Sequence, residues 1–289
     1  MGRCFYLEGK VEFVLLTVSD FFWYGLLMKK YILLLLLFNI ILIRYAYGFD
    51  IKGLQPVAPY GVFSTFSADS LQKGKSAFGV GAEKSREPDF YRYLFQYAYG
   101  ITDKVEFITT IPYVDRWTDE KSGFEDIALG IKHRFFDEGK YGPSVAYIVN
   151  ASVSSGRDEF STDGGVGAGL IASKRVGPVS GHANIFYEKA GSGKSKDEIN
   201  FAAGFDFSAA HNSKILGEIY GRKSHYSKEI DQLEGRFGYR FITTDYIFTT
   251  IGAGFDFKNR SPEYRILFSI AVHLPVEKKV IKKIYEDDK

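Results

Sequence analysis

Charged residues recur at every second position through much of this chain, and their spacing limits the chemistry they can do. In 231–241, Gln232, Glu234, Arg236 and Arg240 oppose Leu233, Phe237, Tyr239 and Phe241. In 124–136, Asp126, Lys132 and Arg134 oppose Ile127, Leu129, Ile131 and Phe135. Along the whole chain this polar parity carries Glu83, Arg92, Glu106, Asp126, Lys132, Arg134, Asp206, Glu218, Arg222, Glu234, Arg236, Arg240, Asp256 and Arg265. Both signs are mixed. Such a set can line a polar pathway and bias which solutes pass, or it can pair into ion bridges that brace a narrow interior. Which partners meet depends on cross-strand register, a tertiary property.

Other chemistry is thinly represented. The histidines, His133, His182, His211, His225 and His273, stand at no metal-ligand spacing with one another or with a cysteine. Gly79-Val80-Gly81 and Gly165-Val166-Gly167-Ala168-Gly169 lack the helix and full spacing of a dinucleotide loop, and read as small residues at alternate strand positions. No cofactor site and no catalytic group is expected. A lipid-facing Ser–His pair would be needed for hydrolysis at the membrane. His133 has the outward parity, but no serine motif matches it.

The elements that position these residues are strands. From Tyr246 to Phe257 and again from Tyr264 to Leu274, side chains alternate between an apolar row and a small, polar or charged row. Period two is the signature of a strand with two unlike faces. Each run is roughly ten residues, the length a tilted strand needs to cross a bilayer. Similar runs fall at 76–86, 89–100, 104–114, 124–136, 143–154, 164–176, 179–188, 198–208, 213–223, 231–241, 246–257 and 263–274. That makes about twelve, an even number as in single-chain bacterial barrels. Backbone groups inside lipid must all be paired, so the sheet has to close, with its apolar parity outward and its charged parity in the lumen. The expected fold is all-β, a transmembrane antiparallel up-and-down barrel. Aromatics near strand ends (Tyr91, Tyr99, Tyr113, Phe135, Phe136, Phe207, Phe257) fit interfacial girdles.

Connections alternate in length. Gly100 to Asp103, Asp137 to Tyr141, Gly177-Pro178, Ala209 to Asn212 and Thr243 to Asp245 are short. Val114 to Gly123, Ser155 to Asp163, Lys189 to Asp197 and Ser224 to Ile230 are longer and polar. Short turns on the periplasmic side and longer loops outside are the outer-membrane pattern. Residues 49–75, with Pro56, Pro59 and Gly74, read as an irregular lead-in, within which Gly61 to Ser67 can form a short extended piece; the lead-in could also help to fill the lumen. Val276 to Lys289 reads as a charged periplasmic tail.

Ahead of the barrel, Met28-Lys29-Lys30, an apolar run from Tyr31 to Ile43 and Ala46-Tyr47-Gly48 form the n-region, h-region and cleavage site of a signal peptide, expected over 28–48. Residues 1–27 read as an N-terminal extension or a start codon assigned too early. Cleavage would remove Cys4, the one cysteine, and with it any disulfide. The net charge of +2 offers no basic field for nucleic acid, and the mean hydropathy of -0.12 disfavours a polytopic helical protein but not a barrel. The expected partners are the outer-membrane bilayer and, during biogenesis, the secretion translocon and barrel-assembly machinery.

Several stretches carry a resemblance. Gly61-Val62-Phe63-Ser64-Thr65-Phe66-Ser67, Gly100-Ile101-Thr102-Asp103-Lys104-Val105-Glu106, Ile111-Pro112-Tyr113 and Gly123 to Phe135 resemble Gram-negative outer-membrane proteins of the "putative MetA-pathway of phenol degradation" transporter family. The resemblance implies a barrel in the bacterial outer membrane and uptake of hydrophobic or aromatic compounds, and carries over no site residues. The function expected is a channel or transporter for passive passage of small solutes. The alternatives are an occluded barrel presenting its outer loops, third, an outer-membrane enzyme and, fourth, a soluble periplasmic lipocalin-like binder, which would need its apolar parity inside.

Overall fold

The structure is a computed structural model that describes residues 53–86, 89–117, 121–158, 160–191, 197–224, 230–257 and 264–274. The expected signal peptide, the extension before it and the charged tail lie outside the described residues. Thirteen strands follow in order: β1 (Ser76–Arg86), β2 (Phe90–Gly100), β3 (Val105–Trp117), β4 (Lys121–Phe124), β5 (Ile127–Phe136), β6 (Ser144–Val153), β7 (Gly165–Val176), β8 (Val179–Ala190), β9 (Glu198–Ala210), β10 (Ser213–Ser224), β11 (Gln232–Thr244), β12 (Ile247–Asp256) and β13 (Tyr264–Leu274).

Apart from β4 and β5, which both pair with β3, each strand pairs antiparallel with its sequence neighbour, and β1 pairs with β13 from Ser76↔Leu274 to Arg86↔Tyr264, which closes the sheet. β4 and β5 lie end to end along β3: β5 pairs with Val105 to Thr110, and β4 with Tyr113 to Trp117. They make one stave interrupted at Glu125 and Asp126, so the thirteen strands form a barrel of twelve staves. The unbroken strand expected over 124–136 is thus split. The β3–β4 hairpin also reaches further than expected, because Trp117 pairs with Lys121 inside what read as a loop.

Side-chain parity sorts as the alternation requires. Phe95, Ile131, Leu170, Ile185, Ile219, Phe237, Ile251 and Phe268 are exposed on the outer surface, from strands all around the barrel. Ala77, Ile108, Ala128, Ile148, Ile171 and Leu216 are buried inside with the charged residues. A continuous apolar belt of this kind is stable only against hydrocarbon, since patches on soluble monomers rarely exceed a few hundred Å². Closure through β1 and β13 removes the free edges of the main sheet, as backbone groups inside lipid require, while β4, among the described residues, pairs with β3 alone.

Residues 53–75 do not join the wall. They thread the lumen, and Gly61 to Phe66 closes a tight antiparallel turn with Val62 N–H donating to Thr65 O at 2.9 Å and Ser67 N–H to Tyr60 O at 2.9 Å. The extended piece expected at Gly61 to Ser67 is therefore an internal hairpin. Leu54, Val57, Phe66, Ala68 and Leu71 join Ile108, Ile148 and Ile171 in the core that fills the barrel.

An arginine placed at Phe237, mid-strand on the belt, should cost about 2–4 kcal/mol of bilayer stability. Denaturant unfolding from lipid vesicles measures it. A cost near zero would mean that this surface does not face hydrocarbon.

Candidate functional site

The lumen is where charge, cavity and an unpaired stretch of backbone meet. From 53 to 73 the lead-in does not pair with a wall strand, yet its N–H and C=O groups are shielded from water and must be satisfied. The inward parity of the wall does this.

Glu218 of β10 is the central anchor. Its Oε2 accepts the backbone N–H groups of Phe63, Ser64 and Thr65 at 3.1, 2.8 and 2.8 Å. Three successive amides around one carboxylate form a nest, a strong geometry for an anion. Arg240 of β11 serves the opposite polarity: Nη1 donates to Gly61 O at 2.9 Å and Nη2 to Val62 O at 2.8 Å. Lower down, Asn184 clamps Phe66 at both backbone groups, accepting from its N–H at 2.6 Å and donating to its carbonyl at 2.9 Å. Lys132 donates to Ser67 O at 2.9 Å and bridges to Glu106 at 2.7 Å, while Glu106 accepts the Leu71 N–H at 2.7 Å.

Shape is supplied by glycine. The Phe63 ring lies on Gly238 and Gly252, where an added Cβ would come within 2.7 Å of the ring at either position. The alternate small residues of the wall thus make room for the inserted chain.

Nearer the rim with the longer loops the charges pair with one another. Arg236 joins Glu218 at 3.1 Å and Glu234 at 2.8 Å, Arg265 meets Glu83 at 3.1 Å, and Arg92 Nε donates to Glu125 at 2.8 Å. All of these side chains are buried. Buried ions survive only when paired and hydrogen-bonded, and losing one partner is costly. Asp256, half-buried, is paired in register with Glu234.

Two expected lumen residues do other work. Asp126 stands at the β4–β5 break and accepts hydrogen bonds from the loop after β6: Thr162 N–H at 2.7 Å, Thr162 Oγ1 and Ser161 Oγ at 2.8 Å and Gly156 N–H at 3.0 Å. It fastens that loop to the wall, and the interruption of the stave follows from this docking. Arg134 lies at the short-turn rim, 3.3 Å from Asp69 and 3.1 Å from Asp137. There a hydrogen bond from Lys104, together with the charges of Lys104 and Arg134, holds the Asp137 carboxyl below its ordinary range.

Sequence inspection missed one constellation. Ser173, His182 and Asp206, buried on β7, β8 and β9, form a chain: Ser173 Oγ lies 2.8 Å from His182 Nδ1, and His182 Nε2 lies 3.3 Å from Asp206 Oδ2. Lys214 pairs with Asp206 at 2.6 Å. The residue types match a nucleophilic triad. Here Ser173 Oγ also accepts the Ala68 N–H at 2.8 Å, so the lead-in covers it and the serine acts as an anchor. Ser173 and His182 are nine residues apart and meet only through register, Ser173↔His182; the sole sequence signal was their shared inward parity.

What space remains is small. Beside Phe63, Arg236 and Arg240 there is a cavity of about 60 Å³, and beside Leu54, Phe66 and Tyr220 one of about 30 Å³. On the outer wall, Tyr147, Val149, Leu170, Ile185, Tyr187 and Ile199 border an apolar groove of about 380 Å³ whose floor includes Gly169 and Phe186.

No protein-family model matches the chain, and no curated protein matches it. Solved barrels resemble it in fold. An outer membrane channel from Pseudomonas putida F1 superposes with a TM-score of 0.54 at 12% identity, covering 71% of this chain and 97% of that one. The NanC porin gives 0.53 at 9% identity, over 69% of this chain and 100% of the porin. The KdgM porin gives 0.51 at 6% identity, over 70% and 99%. At these identities the likeness is one of fold.

Glu218→Ala should leave the amides of Phe63, Ser64 and Thr65 without their acceptor and Arg236 with Glu234 alone, a loss of about 3–5 kcal/mol. With Cys4 replaced by serine, a thiol introduced as Ser64→Cys should react with a water-soluble maleimide at least tenfold faster once Glu218 is removed. Equal rates in the two backgrounds would show that Glu218 does not hold the hairpin. In a separate test, Asp126→Asn should speed proteolysis within 154–164, read by mass spectrometry of the cleavage products.

Proposed function

We propose that this chain is an outer-membrane channel for passive passage of small solutes, closed in the state described by its own lead-in. The observation that carries the reading is how the lead-in is held. From 53 to 73 its contacts to the wall run through side chains such as Glu218, Arg240, Asn184 and Lys132; among the described residues, backbone bonds to the wall come at its end, where Gly74 and Lys75 pair with Gly100. It can therefore leave the lumen without unzipping any stave. Its departure would expose a path lined by Glu106, Lys132, Asp206, Glu218, Arg236 and Arg240, the inward-parity set that would then filter solutes. The fold shared with an outer membrane channel and two porins supports the same reading. So does the alternation of short turns and longer loops, the pattern of outer-membrane barrels whose short turns are periplasmic.

A second reading concerns hydrophobic solutes, the class implied by the sequence resemblance. The apolar groove on the outer wall reaches Phe186, and Phe186 packs against Phe66 of the lead-in with ring centroids 5.9 Å apart. A hydrophobic molecule in that groove would lie one aromatic ring from the closed lumen, which supports lateral passage through the wall.

Planar-bilayer recording decides between a channel and a permanently occluded barrel. Folded protein, verified by its heat-shifted gel mobility, should show few or no conductance steps. The Glu218→Ala/Arg240→Ala double variant should show steady ones. A double variant that folds, loses the hairpin contacts and stays silent would reject the channel and favour the occluded barrel. Full conductance in the unaltered protein would reject closure by the lead-in.

A further inference from the structure

We infer that the lumen, once vacated, binds short peptides by their backbone, so that peptides are the solute class this barrel favours and the lead-in is their resident stand-in. The inference rests on the reading above that the lead-in can leave the lumen, and it adds the class of solute that takes its place.

The polar contacts along the lead-in run in a fixed order. Arg240 serves the carbonyls of Gly61 and Val62, Glu218 the N–H groups of Phe63, Ser64 and Thr65, and Asn184 both backbone groups of Phe66. Further on, Ser67 O accepts from Lys132, Ala68 N–H donates to Ser173 Oγ and Leu71 N–H donates to Glu106. Each of these partners is a backbone group. A peptide of almost any sequence offers the same donors and acceptors at the same intervals. A sugar or an aromatic hydrocarbon does not.

The wall holds these anchors in place by itself. Glu218 is fixed by Arg236 at 3.1 Å, Arg240 Nε donates to Thr250 Oγ1 at 3.0 Å, and Glu106 pairs with Lys132 at 2.7 Å. An emptied lumen therefore keeps a carboxylate aimed at amides and a guanidinium aimed at carbonyls. Anchors fixed in advance lose little freedom when a ligand arrives, and that favours binding.

Side chains enter as a second layer of selection. The Phe63 ring lies on Gly238 and Gly252, the Phe66 ring packs on Phe186, and Arg236 donates to Ser64 Oγ at 2.7 Å. Main-chain bonds that give affinity and pockets that give preference are the usual division in peptide recognition. The favoured peptide has two aromatic residues three apart, with small polar residues between them. It must also close the turn in which Val62 N–H donates to Thr65 O. Proline has no N–H and is excluded from the positions of Phe63 to Phe66.

The test is fluorescence anisotropy of a labelled heptapeptide with the sequence of residues 61–67, titrated with the folded full chain in detergent. The lead-in is displaced from its own side by Phe66→Asp/Leu71→Asp, which sets carboxylates where two fully buried apolar side chains stand and leaves the wall unaltered. If that pair does not fold, Gly61→Val opens the turn instead, because its Cβ would come within 2.6 Å of Thr65 O. Fast maleimide reaction of Ser64→Cys, with Cys4 replaced by serine, verifies displacement. We expect saturable binding to the displaced variant and little to the unaltered protein. An unrelated sequence that keeps both aromatic residues should bind within about tenfold. An ester analogue, with oxygen in place of the N–H groups at the Ser64 and Thr65 positions, should bind about tenfold more weakly or worse. Glu218→Ala in the displaced variant should erase that difference. No binding to the displaced variant, equal binding of the ester, or binding of the lead-in sequence alone overturns the proposal; the last would make the lumen a private socket. Conductance of the same variant keeps the two readings apart. Steps without peptide binding retain the channel and overturn peptide recognition. Peptide binding without steps retains the recognition and rejects the channel.

Discussion

A backbone amide or carbonyl kept from water must find a partner, and this constraint governs the wall and the lumen alike. In the wall it is met by closure: twelve staves pair all the way round, and β1 joins β13 without a gap. In the lumen it cannot be met by a ladder, because the lead-in lies across strands that are already paired on both sides. The solution is a set of inward side chains that imitate backbone partners. Glu218 stands in for three carbonyls and Arg240 for two amides. Asn184 supplies one of each.

The same constraint explains why so many charges survive inside. Glu218 cannot be replaced by an apolar residue without orphaning three amides, and Arg236 then follows as its counter-ion. Arg236 is shared with Glu234, so the hairpin contacts and the upper ion pairs form one connected system. Removing a member leaves a buried ion without its partner, the costliest outcome for a low-dielectric interior. A lumen built this way holds the hairpin rigidly against a strongly polar wall.

The loop after β6 shows a trade between sheet and site. Asp126 would sit in an unbroken stave if the ladder alone decided. Instead it turns its carboxylate to the loop, and the stave breaks at Glu125 and Asp126. Glu125 is released to meet Arg92. Several side-chain hydrogen bonds to a charged group outweigh the few ladder bonds given up.

The sequence by itself determined the strands, their parity and their connections. Period-two alternation depends only on neighbours along the chain, so Tyr264 to Leu274 could be read without knowing what lay beside it. The inward row of charges followed from the same alternation, as did the small residues Gly238 and Gly252 on that face. What only the tertiary structure decided was who meets whom. Register between staves paired Ser173 with His182 and set Glu188 opposite Glu198, and no local pattern encodes register. Nor could the lead-in be placed from its own residues. Gly61 to Phe66 has no periodicity of its own, and its position is fixed by Glu218, more than 150 residues further on.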